Sequence, residues 1–270
     1  MIMAAFQTVM AESGLVIHDP IIADGRLHRF HVKGDKPGTK NGWYCLFLDG
    51  VPSGVFGSWK FGIKGAWCAK TQQDMNPAER AEQKRRMDAT REAREIEDQF
   101  IKKCVREKAL LLWEISSTAS DSHLYLAKKG VKNHGLRESR GALVIPLRDS
   151  AGILHSLQFI DGDGNKRFLS GGRKKGCYFC IGKPAEIICI AEGYATAASI
   201  HEATGHAVAV AFDAGNLLAV AQTLRTKFPK AKILLCADND LNTPGNPGLT
   251  KANEAAAAVA GFVVVPEGVS

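Results

Sequence analysis

Long apolar runs are missing from this 270-residue chain, which excludes a helical membrane span and any reading as a membrane partner. The opening MIMAAFQTVMAESG has neither the basic end nor the extended apolar core of a secretory signal, so the expected location is the cytoplasm. Cysteine is sparse and odd in number: seven are scattered over a chain too large to need disulfide staples, which fits a reducing compartment and free thiols. No Gly-Lys-Ser/Thr loop cradles a phosphate, no Gly-x-Ser-x-Gly elbow presents a nucleophile, and no histidine pair has metal-chelating helical spacing. Those absences argue against ATP hydrolysis by this chain alone. Cys177 and Cys180 are the only closely spaced cysteines. Both fall in an expected strand, where residues three apart face opposite sides, so no zinc is expected.

What is present is a hydrophobic content of 45%, enough for two modest domains with real cores, and a formal charge of +7. The positive balance favours a polyanionic partner, because cations that neutralise phosphates gain affinity from counterion release.

Four segments are expected along the chain. Residues 1–75 read as a small antiparallel, β-rich region, from the aromatic and aliphatic alternation of Trp43 to Leu48 and Gly54 to Trp59 between Gly, Pro and Asp breaks. Residues 76–118 read as one long helix: Asn76-Pro77 supplies a cap and a first-turn proline, and no glycine or proline follows up to Trp113. Its mixed charges mark a solvated surface. Residues 119–183 read as a short helix ended by Gly130, followed by strands at 143–147 and 154–160 and an Asp161-Gly162-Asp163-Gly164 turn. From residue 184 to 270 strand and helix alternate, which predicts a parallel sheet flanked by helices, with ligands at the carboxyl ends of its strands. The expected fold class is thus an α+β N-terminal region with antiparallel strands, followed by an α/β domain.

The chemistry collects at those strand ends. Glu192 directly follows the apolar Ile187 to Ala191, and Asp238 and Asp240 follow Ile233 to Ala237. Residues two apart in an extended segment face one side, so the two aspartates can share a divalent ion that Glu192 helps to hold. Three converging acids repel one another unless a cation neutralises them, and hard oxygen donors select Mg2+ or Mn2+. Acids at strand ends also serve as helix caps, and Asp213, after the second strand, reads equally as a cap or a site neighbour.

In order, Ala191-Glu192-Gly193-Tyr194-Ala195-Thr196-Ala197, Ala207-Val208-Ala209 and Ala237-Asp238-Asn239-Asp240 resemble the Toprim family pattern of Glu-Gly, a small-residue helix and Asp-x-Asp. Upstream, Ile145-Pro146-Leu147-Arg148-Asp149, Lys166-Arg167-Phe168-Leu169-Ser170 and Lys175-Gly176 resemble the core that precedes Toprim in bacterial primases, so the likeness covers residues 123 to 265. The block from Phe30 to Lys70 is similar to the leader of plasmid and phage primases fused to helicases. The chain departs from the family in the long Leu241 to Pro247 insertion after Asp240 and in lacking the amino-terminal zinc module.

The resemblance implies a DNA-dependent RNA primase that builds short primers on single-stranded DNA from nucleoside triphosphates by two-metal nucleotidyl transfer, alongside a fused or separate replicative helicase. Glu192, Asp238 and Asp240 would be catalytic and metal-binding, and Arg148, Lys166, Arg167, Lys175 and Lys251 would bind nucleotide or template. Arg173 to Lys175 read equally as a solvated turn. Trp43, Trp59 and Trp67 among lysines read either as core or as stacking faces for single strands. The competing functions are a Toprim nuclease with the same acids, a non-catalytic single-strand-binding module of a replication helicase, and a small-molecule phosphotransferase.

Overall fold

The computed structural model describes residues 2–35, 38–58, 61–71, 74–237 and 246–265. It divides into two compact units, residues 1–95 and 96–270. Among the described residues no helix is long and apolar enough to cross a membrane.

In the first unit β1 (His28–Phe30), β2 (Gly42–Phe47), β3 (Ser53–Ser58) and β4 (Ile63–Cys68) form an antiparallel sheet in that order. One face carries Phe30, Tyr44, Leu46 and Phe56, and these pack with Phe6 and Met10 of a helix, α1 (Ile2–Glu12). The expected antiparallel, β-rich region thus also carries a helix. Phe6 and Met10 stand four apart and are both fully buried, so tertiary packing holds this short helix. Gly54 lies beneath the Phe6 ring, where a β-carbon would come within 2.7 Å of it.

Helix α2 spans Pro77–Ile115. Its start is a reciprocal cap: Glu79 N–H donates to Asn76 Oδ1 (2.9 Å), and Asn76 N–H donates to Glu79 Oε2 (3.0 Å). The expected cap and proline are therefore where the helix begins.

The second unit holds two sheets. The first is antiparallel, in the order β5 (Ser117–Thr118), β6 (Arg137–Ser139), β7 (Ala142–Arg148), β8 (Leu154–Ile160), β9 (Lys166–Phe168). Between β5 and β6 lies α3 (Leu124–Lys129), closed by Gly130 at φ 65°, the left-handed conformation expected of a terminating glycine. The second sheet has the order β10 (Phe179–Ile181), β12 (Ala207–Val210), β11 (Ile187–Ala191), β13 (Lys232–Cys236), β14 (Phe262–Val264). It is parallel except for β10. Helices α4 (Tyr194–Thr204), α5 (Leu217–Lys227) and α6 (Pro247–Val259) connect its strands.

Alternation along these strands builds two cores. Cys189, Ala191, Val208 and Val210 pack toward α4 and the antiparallel sheet, whereas Ile188, Ile190, Ala209 and Ala211 pack toward α5 and α6. Cys177 belongs to the first core and Cys180 borders the second. A backbone bridge between Arg148 and Tyr178 fastens one sheet to the other, with Tyr178 N–H donating to the Arg148 carbonyl at 2.8 Å.

Candidate active site

Strands β11 and β12 pair in parallel, with Ala191 opposite Val210, so their carboxyl ends open side by side. Glu192 leaves the end of β11, and Gly193 caps α4 with extended backbone (φ −113°, ψ 156°). The first turn of α4 is held by Tyr194, which is fully buried. Its hydroxyl donates to the Lys132 carbonyl (2.8 Å) and accepts from His134 N–H (2.9 Å), and burial pushes its pKa up. Glu192 is thereby carried on a fixed strand–helix junction.

Glu192 lines a cleft of about 440 Å³ together with Lys166 from β9, Lys128 and Lys129 from the end of α3, Asp163 and Gly164 from the turn after β8, Thr196 from α4, and Phe212 and Asp213 beyond β12. Oε1 of Glu192 is shielded from solvent. Lys166 reaches over the junction: a β-carbon at position 193 would lie 3.5 Å from its Nζ. The 161–165 turn is fixed from within, because Asp161 Oδ1 accepts from the amides of Asp163 (3.1 Å) and Asn165 (2.9 Å). Those hydrogen bonds hold the Asp161 carboxyl below its ordinary pKa, with the Asn165 side chain contributing most.

Phe212 adopts φ 74°, a left-handed backbone that a bulky side chain rarely takes, and its ring meets Phe168 edge-on at 6.1 Å. Asp213 is ion-paired with Lys174. Behind them Asn216, 2% exposed, binds the strand end to the basic loop. Its Oδ1 accepts from Gly176 N–H (2.8 Å), and its Nδ2 donates to the carbonyls of Cys177 (3.0 Å) and Ala211 (2.9 Å).

The remaining expected site residues are distributed more widely. Arg167, one position from Lys166, faces the other side of β9 and covers the Phe159 ring at 4.7 Å. Arg148 Nη1 donates to the Gly152 carbonyl (2.9 Å), and its guanidinium lies 5.8 Å from the Trp113 ring centre. Burial, with Arg137 nearby, lowers its pKa from the usual guanidinium value. Lys175 lines a separate groove of about 540 Å³ with Lys102, Arg173 and residues of α5. Lys251, on α6, is paired with Glu254 at 2.7 Å. Asp238 and Asp240 lie outside the described residues, as does Trp59. The last described residue before them, Ala237, follows β13 (Lys232–Cys236), which pairs in parallel with β11 so that Cys236 lies opposite Ala191.

Among the described residues no group of three or more His, Cys, Asp or Glu is placed to hold a metal ion. The described donors of the cleft are nevertheless carboxylates, with no thiolate or imidazole among its lining side chains, and that chemistry fits magnesium or manganese. Sequence reasoning missed Lys128, Lys129, Asp163, Thr196 and Phe212 as cleft residues. The adjacent lysines before Gly130 were the one signal in the sequence, but they are equally the basic residues expected in any last helical turn.

Residues 186–265 match the family model described as Toprim domain. Two curated proteins of Escherichia coli, both called DNA primase TraC, are 37% identical over 257 residues and 33% identical over 260 residues. These matches take in 91% and 92% of this chain, but 24% and 18% of the relatives, so the chain spans about a quarter or less of their length. A solved structure of the DnaG primase catalytic domain bound to ssDNA aligns with 58% of this chain and 68% of its own, at 12% identity and a TM-score of 0.41. The Glu-Gly junction and the parallel strands of the second sheet lie within the stretch that matches the Toprim domain, and nine-tenths of the chain is similar to a part of the two TraC primases.

Proposed function

We propose that this chain is the catalytic core of a DNA primase, synthesising short RNA primers on single-stranded DNA by metal-dependent nucleotidyl transfer in the cytoplasm, with a replicative helicase as its working partner. The observation that carries the reading is the placement of Glu192 in one cleft with Lys166, Lys128 and Lys129, beside the strand that leads into Asp238. A carboxylate among lysines at the open end of a parallel sheet suits a substrate that brings both phosphates and metal ions.

Glu192, Asp238 and Asp240 would hold magnesium or manganese, which when bound activates the attacking 3′-hydroxyl and stabilises the departing pyrophosphate. Lys166 would neutralise phosphate oxygens above the Glu-Gly junction, and Lys128 and Lys129 would extend that positive wall along the triphosphate or template. Glu192 would ligate an ion or take the hydroxyl proton. Arg167 and Lys175, which face other surfaces, would contact template rather than the reacting phosphates.

The test is template-dependent labelling of oligonucleotides from ribonucleoside triphosphates, magnesium and single-stranded DNA. Wild-type chain should make product, and Glu192→Gln and Lys166→Ala should each lose it while folding normally. Cleavage of the template without synthesis would replace the primase with a Toprim nuclease.

A further inference from the structure

The first unit contains a surface that the cleft chemistry does not use. Strand pairing sets Arg29 opposite Trp43, Trp43 opposite Gly57, and Gly57 opposite Lys64, one continuous row across all four strands. Because side chains alternate, this row lies on the face turned away from α1, whereas Tyr44, Phe56 and Trp67 face the helix. Strand parity puts Trp67 and Trp43 on opposite faces of the sheet. Trp67 is core, in edge contact with Phe6 at 5.9 Å, and Trp43 belongs to the opposite surface.

Trp43 lies against the sheet backbone. A β-carbon at Gly57 would sit 2.7 Å from the indole and 2.3 Å from the Ile63 carbonyl oxygen, so only glycine lets the ring settle there. The indole is half-buried, and Arg29 and Lys64 at the two ends of the row are exposed. The four strands include these two cations and no aspartate or glutamate. A flat aromatic with cations on both flanks, in strands without a carboxylate, is complementary to a nucleic-acid strand whose bases stack and whose phosphates are negative.

We propose that this face is a platform for single-stranded nucleic acid, with a base stacked on Trp43 and phosphates neutralised by Arg29 and Lys64. It is a binding site additional to the catalytic cleft, and it stands whether or not the cleft makes primers.

The test uses the full chain and a labelled oligothymidylate, with affinity read by fluorescence anisotropy over a salt series without nucleotides or divalent ions. A stacked base contributes a factor of roughly 5 to 150 in affinity, so Trp43→Ala with an unchanged circular dichroism spectrum should weaken binding at least about fivefold. Arg29→Ala with Lys64→Ala, which changes only exposed side chains, should lower the slope of log affinity against log salt by about 1.4, roughly 0.7 for each phosphate left without its cation. Wild-type affinity and slope in both variants would overturn the platform, and primer synthesis by those same variants would show that the failure is not that of the cleft. Weakened binding by a chain that makes no primers would uphold the platform and count against the primase reading alone.

Discussion

Asn216 is the perturbation whose outcome the structure determines most fully. Its side-chain amide is buried and satisfies three backbone groups on two segments, the Gly176–Cys177 loop and the end of β12 at Ala211, one residue before Phe212 enters the cleft. Asn216→Ala strands one donor and two acceptors away from water. Each orphaned group costs about 1–3 kcal/mol, and partial refilling by water brings the total to about 3–5 kcal/mol. Asn216→Asp is the more discriminating change. Its Oδ1 can still accept from Gly176, but the second carboxylate oxygen then faces two carbonyls where an NH2 had donated, so at neutral pH it should cost at least as much as alanine.

Protonation of the introduced carboxyl would restore a donor toward those carbonyls, so its pKa would be raised in the folded state above its unfolded value. The stability it retains is then fully present below the unfolded pKa and lost as pH rises through the folded pKa, so the deficit against wild type shrinks on acidification. Urea unfolding of wild type and the two variants from neutral to acid pH measures this directly. Equal stability of Asn216→Asp and wild type at neutral pH, or a deficit that grows on acidification, would refute the assigned hydrogen bonds.

Other outcomes follow from the same geometry. Burial pulls the Asp149 pKa upward, but His155 at 2.8 Å and the amides of Ile153 and Ala151 outweigh it and hold the carboxyl below its usual range. Its stabilisation is therefore present above the unfolded pKa and lost as pH falls through the depressed folded value, and Asp149→Asn should flatten the acid limb of a stability–pH curve. Arg225 donates to the carbonyls of Val259 (2.9 Å), Pro229 (2.9 Å) and Ala231 (2.7 Å), joining α5 to the end of α6, so Arg225→Met should cost about 2–4 kcal/mol in urea unfolding. Gly130→Ala forces a β-carbon into the left-handed cap of α3 and should cost about 1–2 kcal/mol by the same measurement.

The second unit was legible because its signals were local and redundant. The apolar strand Ile187 to Ala191 ends at Glu192, and Gly130 marks the end of α3 by its own stereochemistry, as Asn76-Pro77 marks the start of α2 in the first unit. The helix at Ile2–Glu12 was not legible, because nothing local marks it and its stability lies in Phe6 and Met10 meeting a sheet distant in sequence. The cleft was legible at Glu192 and Lys166 and obscure elsewhere. Phe212 enters through a backbone conformation that its residue type disfavours, and Lys128 and Lys129 enter through the docking of α3, a contact with no sequence period. Arg167 illustrates the converse. Motif proximity joined it to Lys166, but strand alternation sends the two side chains to opposite faces.

The proposed chemistry depends on Glu192, Asp238 and Asp240 sharing divalent ions. Titration of the chain with Mn2+, followed by the electron paramagnetic resonance signal of the free ion, tests that sharing without recourse to activity. Glu192→Gln, Asp238→Asn and Asp240→Asn should each abolish the same bound population while the protein stays folded. Binding that survives Glu192→Gln unchanged while either aspartate variant removes it would contradict a common site.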